Sequence, residues 1–474
     1  LILINSLHKI IKFFFTNQTG QKMKKHYSLQ ILTAFMILVL FSTNSYSQWT
    51  LAGAVTNAGT FPSISVVNQN VVWVAGGPSG TPIVYRTTNG GTNWTTIPTT
   101  GVSLELYCIW AIDENTAYVG NGGAAGGAGG NAQFFKTTNA GVSWTQVGAT
   151  GGSGGFFNGI VFSRSTPNFG IAQSDPPGGA GQPYYISRTT DGGATWTVTN
   201  PPGQSGTASA QNSIVVVDNQ FYGFGSNTAP PAAILTTDGG TTWFKRNTPL
   251  TGNFTSGVAF SDNKLTGLVA SSTSLPNIAR TTDAGATWTS INTGTGQSGY
   301  CGLKWVAGTN TVYLTADQGA TGVVKKSTNG GLNWTVMSTS GLTGVTHIDY
   351  YRSGTTVYGY AATSSGAVLK VVDNVTSIDP INSILPNEFS LSQNYPNPFN
   401  PSTKINFSIP TSSQVSLKVY DAVGKEVADL VNEFAAAGNY TVDFNAPLNL
   451  TSGVYFYTLS AGEFKSTKKL LLVK

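Results

Sequence analysis

Charge is what this chain has least of. Only 9% of its 474 residues are Asp, Glu, Lys or Arg, against about 25% in an average soluble domain. Two cysteines, Cys108 and Cys301, are too few for a disulfide framework and lack metal-ligand spacing. Both sit in apolar strand contexts and read as small buried residues. The formal charge of +5 is local: residues 1–47 hold Lys9, Lys12, Lys22, Lys24 and Lys25 and no acid, leaving 20 basic against 20 acidic residues. A neutral remainder has no basic footprint for nucleic acid. Helical periodicity is missing outside the N-terminus. Gly (57 residues), Thr, Ser and Asn fill the gap, and 40% hydrophobic residues suffice for a packed core. The composition is that of turns and strands.

The run Leu29–Phe41 is shorter than the 18 or more apolar residues a membrane span needs. With Met23-Lys-Lys-His before it and Ser45-Tyr-Ser47 after it, the segment 23–47 has the three parts of a secretory signal peptide. Cleavage is expected between Ser47 and Gln48, leaving a mature protein without a membrane span. Residues 1–22 read as an upstream extension.

One phrase returns six times. It is YRTTNGGTNWTTI at 85–97, FKTTNAGVSWTQV at 135–147, SRTTDGGATWTVT at 187–199, ILTTDGGTTWFKR at 234–246, ARTTDAGATWTSI at 279–291 and KKSTNGGLNWTVM at 325–337. The spacing of 45–52 residues suits propeller blades of four short strands, which repeat at about 40–50 residues. Within each copy the Asp or Asn makes an Asx turn and the glycine two places on takes the positive φ. The turn residues are Asn89, Gly91, Trp94; Asn139, Gly141, Trp144; Asp191, Gly193, Trp196; Asp238, Gly240, Trp243; Asp283, Gly285, Trp288; and Asn329, Gly331, Trp334. Each tryptophan is expected to cover its own hairpin. Free exchange of Asn for Asp makes these positions architectural rather than metal-ligating.

The pattern S/T-x-D/N-x-G-x-x-W resembles the Asp box of the bacterial neuraminidase repeat. Sialidases, sortilin-type receptors, xyloglucan-active hydrolases and photosystem-assembly-factor-like propellers share it. The resemblance implies a propeller but no particular function, since in that family the box lies away from the active face. Residues 48–375 have room for seven units. The seventh, from GVTHIDYY to AVLKVV, lacks the outer Trp-Thr strand, which Trp49-Thr50 can supply.

After Ile378 the texture changes to a Pro/Asn-rich stretch and alternating strands. Residues 376–392 read as a linker. Residues 393–474 resemble the type A C-terminal sorting domain of the type IX secretion system of Bacteroidetes and relatives. Tyr395-Pro-Asn-Pro-Phe399, Val419-Tyr-Asp-Ala-Val-Gly424, Ser452-Gly-Val-Tyr-Phe-Tyr457 and Lys468–Lys474 carry the likeness. It implies the type IX machinery as a partner and delivery to the cell surface or medium. The expected fold class is all-β, a seven-bladed β-propeller followed by a small Ig-like β-sandwich.

No cofactor is expected, and the glycine run at 120–130 lacks the Gly-Lys-Ser/Thr of a phosphate loop. A sialidase needs three convergent arginines. Here Arg86, Arg188 and Arg280 share one repeat position, Arg246 is on an outer strand, and Arg164 and Arg352 fall in first-to-second strand turns on the wrong face. Asp113, Asp218 and Asp262 read as turn formers. Glu105, Asp175, Asp317, His347 and Asp349 remain as groups that could face the channel. Hydrolysis of a neutral glycan would need two carboxylates among them. The leading expectation is a non-catalytic propeller binding an extracellular glycan or protein. A hydrolase of neutral polysaccharides and a structural or adhesive surface protein are the alternatives.

Overall fold

The computed structural model describes residues 48–474 apart from loop segments, the longer being 123–131, 149–154, 178–180, 272–276, 295–301, 318–321, 338–343 and 383–385. The signal segment, Ser47 and Cys301 lie outside the described residues. No helix is present among them; the elements are strands.

Before residue 375, seven antiparallel sheets of four strands follow one another. Their innermost strands are Ser63–Val66, Leu106–Ala111, Phe157–Phe162, Ser209–Val216, Thr255–Phe260, Leu303–Trp305 and Val345–Ser353, numbered here as sheets 1 to 7. Each innermost strand contacts the next, and that of sheet 7 returns to sheet 1. The architecture is a β-propeller. Sheet 7 takes its outermost strand from the other end of the chain, with Thr50–Ala54 running antiparallel to Ala367–Asn374. The ring therefore closes by strand exchange and leaves no open seam.

The repeated phrase is the turn between the third and fourth strands. In sheet 3, Asp191 Oδ1 accepts hydrogen bonds from Thr195 N at 2.9 Å and Thr189 Oγ1 at 2.8 Å. Thr189 Oγ1 in turn accepts from Gly193 N at 2.8 Å. Asn329 does the same work through Asn333 N at 2.9 Å and Ser327 Oγ at 3.0 Å. The turn asks for an acceptor oxygen, not a charge. Gly193 sits at φ +81°, and a Cβ there would fall 2.0 Å from the Tyr118 hydroxyl of sheet 2. Only glycine lets the turn press against its neighbour.

The tryptophans do more than cover their own hairpins. Trp94 Nε1 donates to Ala52 O at 2.8 Å and Trp144 Nε1 to Pro98 O at 3.0 Å, each in the preceding sheet. Trp196 packs edge-on to Phe134 of sheet 2. They are wedges between sheets.

A cation at one position of the third strand ties six of the seven sheets forward. Arg188 Nη1 donates to Gly239 O at 2.8 Å and Arg280 Nε to Gly330 O at 2.8 Å. Lys136, Lys326 and Lys370 reach Gly193 O, Asn374 O and Gly90 O, and Arg86 reaches Glu114 O. Sheet 4 has Leu235 at this position, packed in the core it shares with sheet 5.

The tail forms two further four-stranded sheets. One contains Ile378–Asn382, Gly438–Asn445, Ser402–Ile409 and Ser390–Leu391; the other Glu426–Ala435, Ser413–Tyr420, Gly453–Ala461 and Phe464–Leu472. One apolar core is shared by both, with Phe407, Val442, Leu417, Tyr457 and Leu470 in it. Phe399 N donates to Leu471 O at 3.0 Å and Val473 N to Phe399 O at 3.0 Å. The Pro/Asn-rich motif is thus laced to the last strand.

Candidate functional site

The inner edge of each sheet faces the ring axis, where backbone N–H groups need partners. Side chains of the preceding sheet supply several. His347 Nδ1 accepts from Ile64 N at 2.9 Å, and Asp349 Oδ2 from Val66 N at 2.8 Å. One sheet on, Ser63 Oγ accepts from Ile109 N at 3.2 Å and Ser65 Oγ from Ala111 N at 2.9 Å. His347-Ile-Asp349 and Ser63-Ile-Ser65 hold the same strand position. Two candidate catalytic groups stand where serines stand next door.

Other contacts cross the ring. Arg164 of sheet 3 donates from Nη2 to Asp349 Oδ1 of sheet 7 at 2.8 Å. Its guanidinium lies 4.7 Å from the ring centre of Tyr350 and 5.3 Å from that of Trp110. Burial opposes the charge of Arg164, but Asp349 and Tyr350 outweigh it and raise its pKa. Arg164 does leave a first-to-second strand turn, as expected. Its length carries the head group across to Asp349 of sheet 7. Ser63 Oγ donates to Asn212 Oδ1 of sheet 4 at 3.0 Å, and Gln211 Nε2 to Tyr107 O of sheet 2. Asn212 is left-handed, φ +57°, within an irregularity of the innermost strand that turns these residues inward. Side chains fill the channel at these levels.

The remaining candidates do not gather. Glu105 accepts from Gly80 N and from the Tyr107 hydroxyl at 2.8 Å. Burial opposes its ionisation, but these bonds prevail and lower its pKa. Asp175 accepts from Asn158 Nδ2 at 2.6 Å. Asp317 ends a strand of sheet 6, and its side chain lies outside the described residues. Asp113 and Asp218 cap their first hairpins, but Asp262 does not: Asn263 Oδ1 takes Leu265 N and Thr266 N, while Asp262 reaches Gly308 N. No cluster of three or more His, Cys, Asp or Glu suited to a metal occurs among the described residues.

Two adjoining cavities open on the face of the first-to-second strand turns, which is also the face of the repeated turns. The outer, about 480 Å³, is lined by Trp110, Arg164, Tyr350, Tyr351 and Arg352 among others. The inner, about 200 Å³, adds Lys304, Asp262 and Asp349. The second-to-third strand loops lie on the opposite face, and much of them lies outside the described residues. Sequence reasoning missed Arg164, Lys304 and the aromatic mouth. The one available signal was the alignment of Ser63-Ile-Ser65 with His347-Ile-Asp349, which marks which side chains point inward.

Burial, and secondarily Lys304, depress the pKa of His347 far below its ordinary value. From Gln48 onward it is the only histidine. The unfolded chain gains a proton near pH 6.5, about the free value, that the folded protein refuses. Stability should therefore be full above that pH and fall below it by about 1.4 kcal/mol per pH unit. In His347→Asn, whose Oδ1 can replace Nδ1 as acceptor, urea denaturation between pH 6.5 and 5 should show a flatter slope. An unchanged slope would place the proton uptake elsewhere.

Residues 393–474 match the model of the secretion system C-terminal sorting domain. The protein is exported. Its sorting domain directs it through the type IX system to the cell surface or medium. No curated protein matches the chain. Among solved structures, "YCF48 bound to D1 peptide" aligns at 15% identity and TM-score 0.49, covering 70% of this chain and 98% of that one. The β-propeller domain of Myceliophteria thermophila Cps50 (Swd1) aligns at 8% identity and TM-score 0.42, covering 68% and 99%. No helix among the described residues is long and apolar enough to cross a membrane.

Proposed function

We propose that the mature protein is a non-catalytic, seven-bladed propeller of the Asp-box kind that binds a glycan or protein outside the cell. Residues 23–47 serve as signal peptide, cleaved after Ser47; residues 48–375 form the propeller, 376–392 the linker, and 393–474 an Ig-like sorting domain read by the type IX machinery. The observation that carries the non-catalytic reading is the employment of the inward-facing groups. Asp349 and His347 hold backbone N–H groups of sheet 1, and Asp349 also holds Arg164. A glycosidase pair needs one carboxyl kept protonated beside an ionised one; Glu105 is shifted the other way. The aromatic and cationic mouth favours binding over turnover.

The secreted full chain should bind at least one member of a glycan and extracellular-protein array. Trp110→Ala, which removes the flat wall of the mouth, should weaken that binding about tenfold, within the range seen for buried aromatic anchors. It should release no sugar from sialosides or neutral polysaccharides. Binding that ignores Trp110, or any turnover, would reject the proposal.

A further inference from the structure

Arg164 has Asp349, and Asp349 has Val66 N as well. Lys304 lines the same inner cavity from the innermost strand of sheet 6. It has no hydrogen-bond or ion-pair partner among the described residues. Its charged neighbours are Asp349 and Arg164; burial, joined by the repulsion of Arg164, outweighs Asp349 and lowers its pKa. His347 beside it is neutral, its Nδ1 taken by Ile64 N. Asp262, also on the lining, accepts from Gly308 N. Lys304 is thus the cation of this lining left without a hydrogen-bonded acceptor, in a space of about 200 Å³. A half-buried ammonium without hydrogen-bond acceptors is costly, and an anion delivered to it gains a charge-assisted bond in a poorly solvated place.

We propose that the inner cavity is an anion site in which Lys304 binds the carboxylate of a small monoanionic molecule whose ring or apolar body lies in the outer mouth. The inference rests on the reading of that mouth as a binding site. Arg164 and Lys304 are matched in number by Asp262 and Asp349 on the lining, so a single negative charge, set against Lys304 alone, is favoured over a phosphate dianion. Trp110, Tyr350 and Tyr351 supply the flat walls a ring would meet.

Benzoate is the probe, with benzamide as its neutral counterpart, titrated calorimetrically into the secreted full chain. Benzoate should bind at one site and benzamide at least tenfold more weakly. Lys304→Met should lose at least tenfold in benzoate affinity, and Lys304→Arg should keep most of it. Should the methionine variant fail to fold, wild-type protein reductively methylated with ¹³C-formaldehyde gives a second reading. Its dimethyl-Lys304 resonance should move with benzoate and not with benzamide. Absent benzoate binding, equal binding of benzamide, tighter binding of inorganic phosphate or indifference to Lys304→Met would each overturn the site. An array ligand that still binds Lys304→Met while depending on Trp110 would overturn this inference alone.

Discussion

Alanine at position 49 should destabilise the protein by about 3–5 kcal/mol, the usual range for truncating a buried tryptophan. Trp49 is 3% exposed and shares a core with Tyr313, Val324 and Met337 of sheet 6. Its ring meets Tyr313 edge-on at 6.3 Å, and Nε1 points to Met337 Sδ at 3.4 Å. It is the wedge of the strand that closes the ring, so its loss loosens sheet 7 from sheet 6 as well as opening a cavity. Leu51, 62% exposed on the same strand, is the control; its truncation should cost less than about 0.5 kcal/mol. Urea denaturation of both variants decides the matter. Equal costs would mean that closure does not depend on the tryptophan.

Asp349→Ala should cost about 3 kcal/mol, the lower end for removing one partner of a buried ion pair. The lower end applies because the Arg164 side chain keeps 34% exposure while Asp349 has 3%. The carboxylate serves two sheets together, accepting from Val66 N in sheet 1 and from Arg164 in sheet 3. Arg164→Met leaves the bond to Val66 intact and should cost less. The double variant should cost less than the two single losses added, since the arginine's charge is no longer stranded. Strict additivity would show that the pair is not coupled.

Much of the ring was legible because it repeats. Acceptor, glycine and tryptophan recur at fixed offsets, and each has a local cause: an Asx turn, a left-handed backbone, a wedge. The match of Trp49-Thr50 to the absent outer strand placed the closing strand, now seen beside Ala367–Asn374. The channel was less legible. Arg164 meets Asp349 across 185 residues, and no periodic pattern links one inner edge to the edge opposite. Asn212 reaches Ser63 only because its strand is irregular there. Asp262 and Asn263 are neighbours, and the sequence does not say which of them caps the hairpin and which turns to Gly308. The cation before each repeated turn looked like an arginine position. With lysine counted it is a clamp, broken only at Leu235.

Unfolding and turnover measured on a single variant, Asp349→Asn in the secreted full chain, test most directly whether the inward-facing acids hold the ring or do chemistry. The amide keeps the size of the side chain but weakens the charge-assisted bonds to Arg164 and Val66 N. The expected result is a stability loss of about 1–3 kcal/mol, with no hydrolysis of sialosides or neutral polysaccharides by either protein. Wild-type turnover that vanishes in Asp349→Asn at unchanged stability would contradict the account.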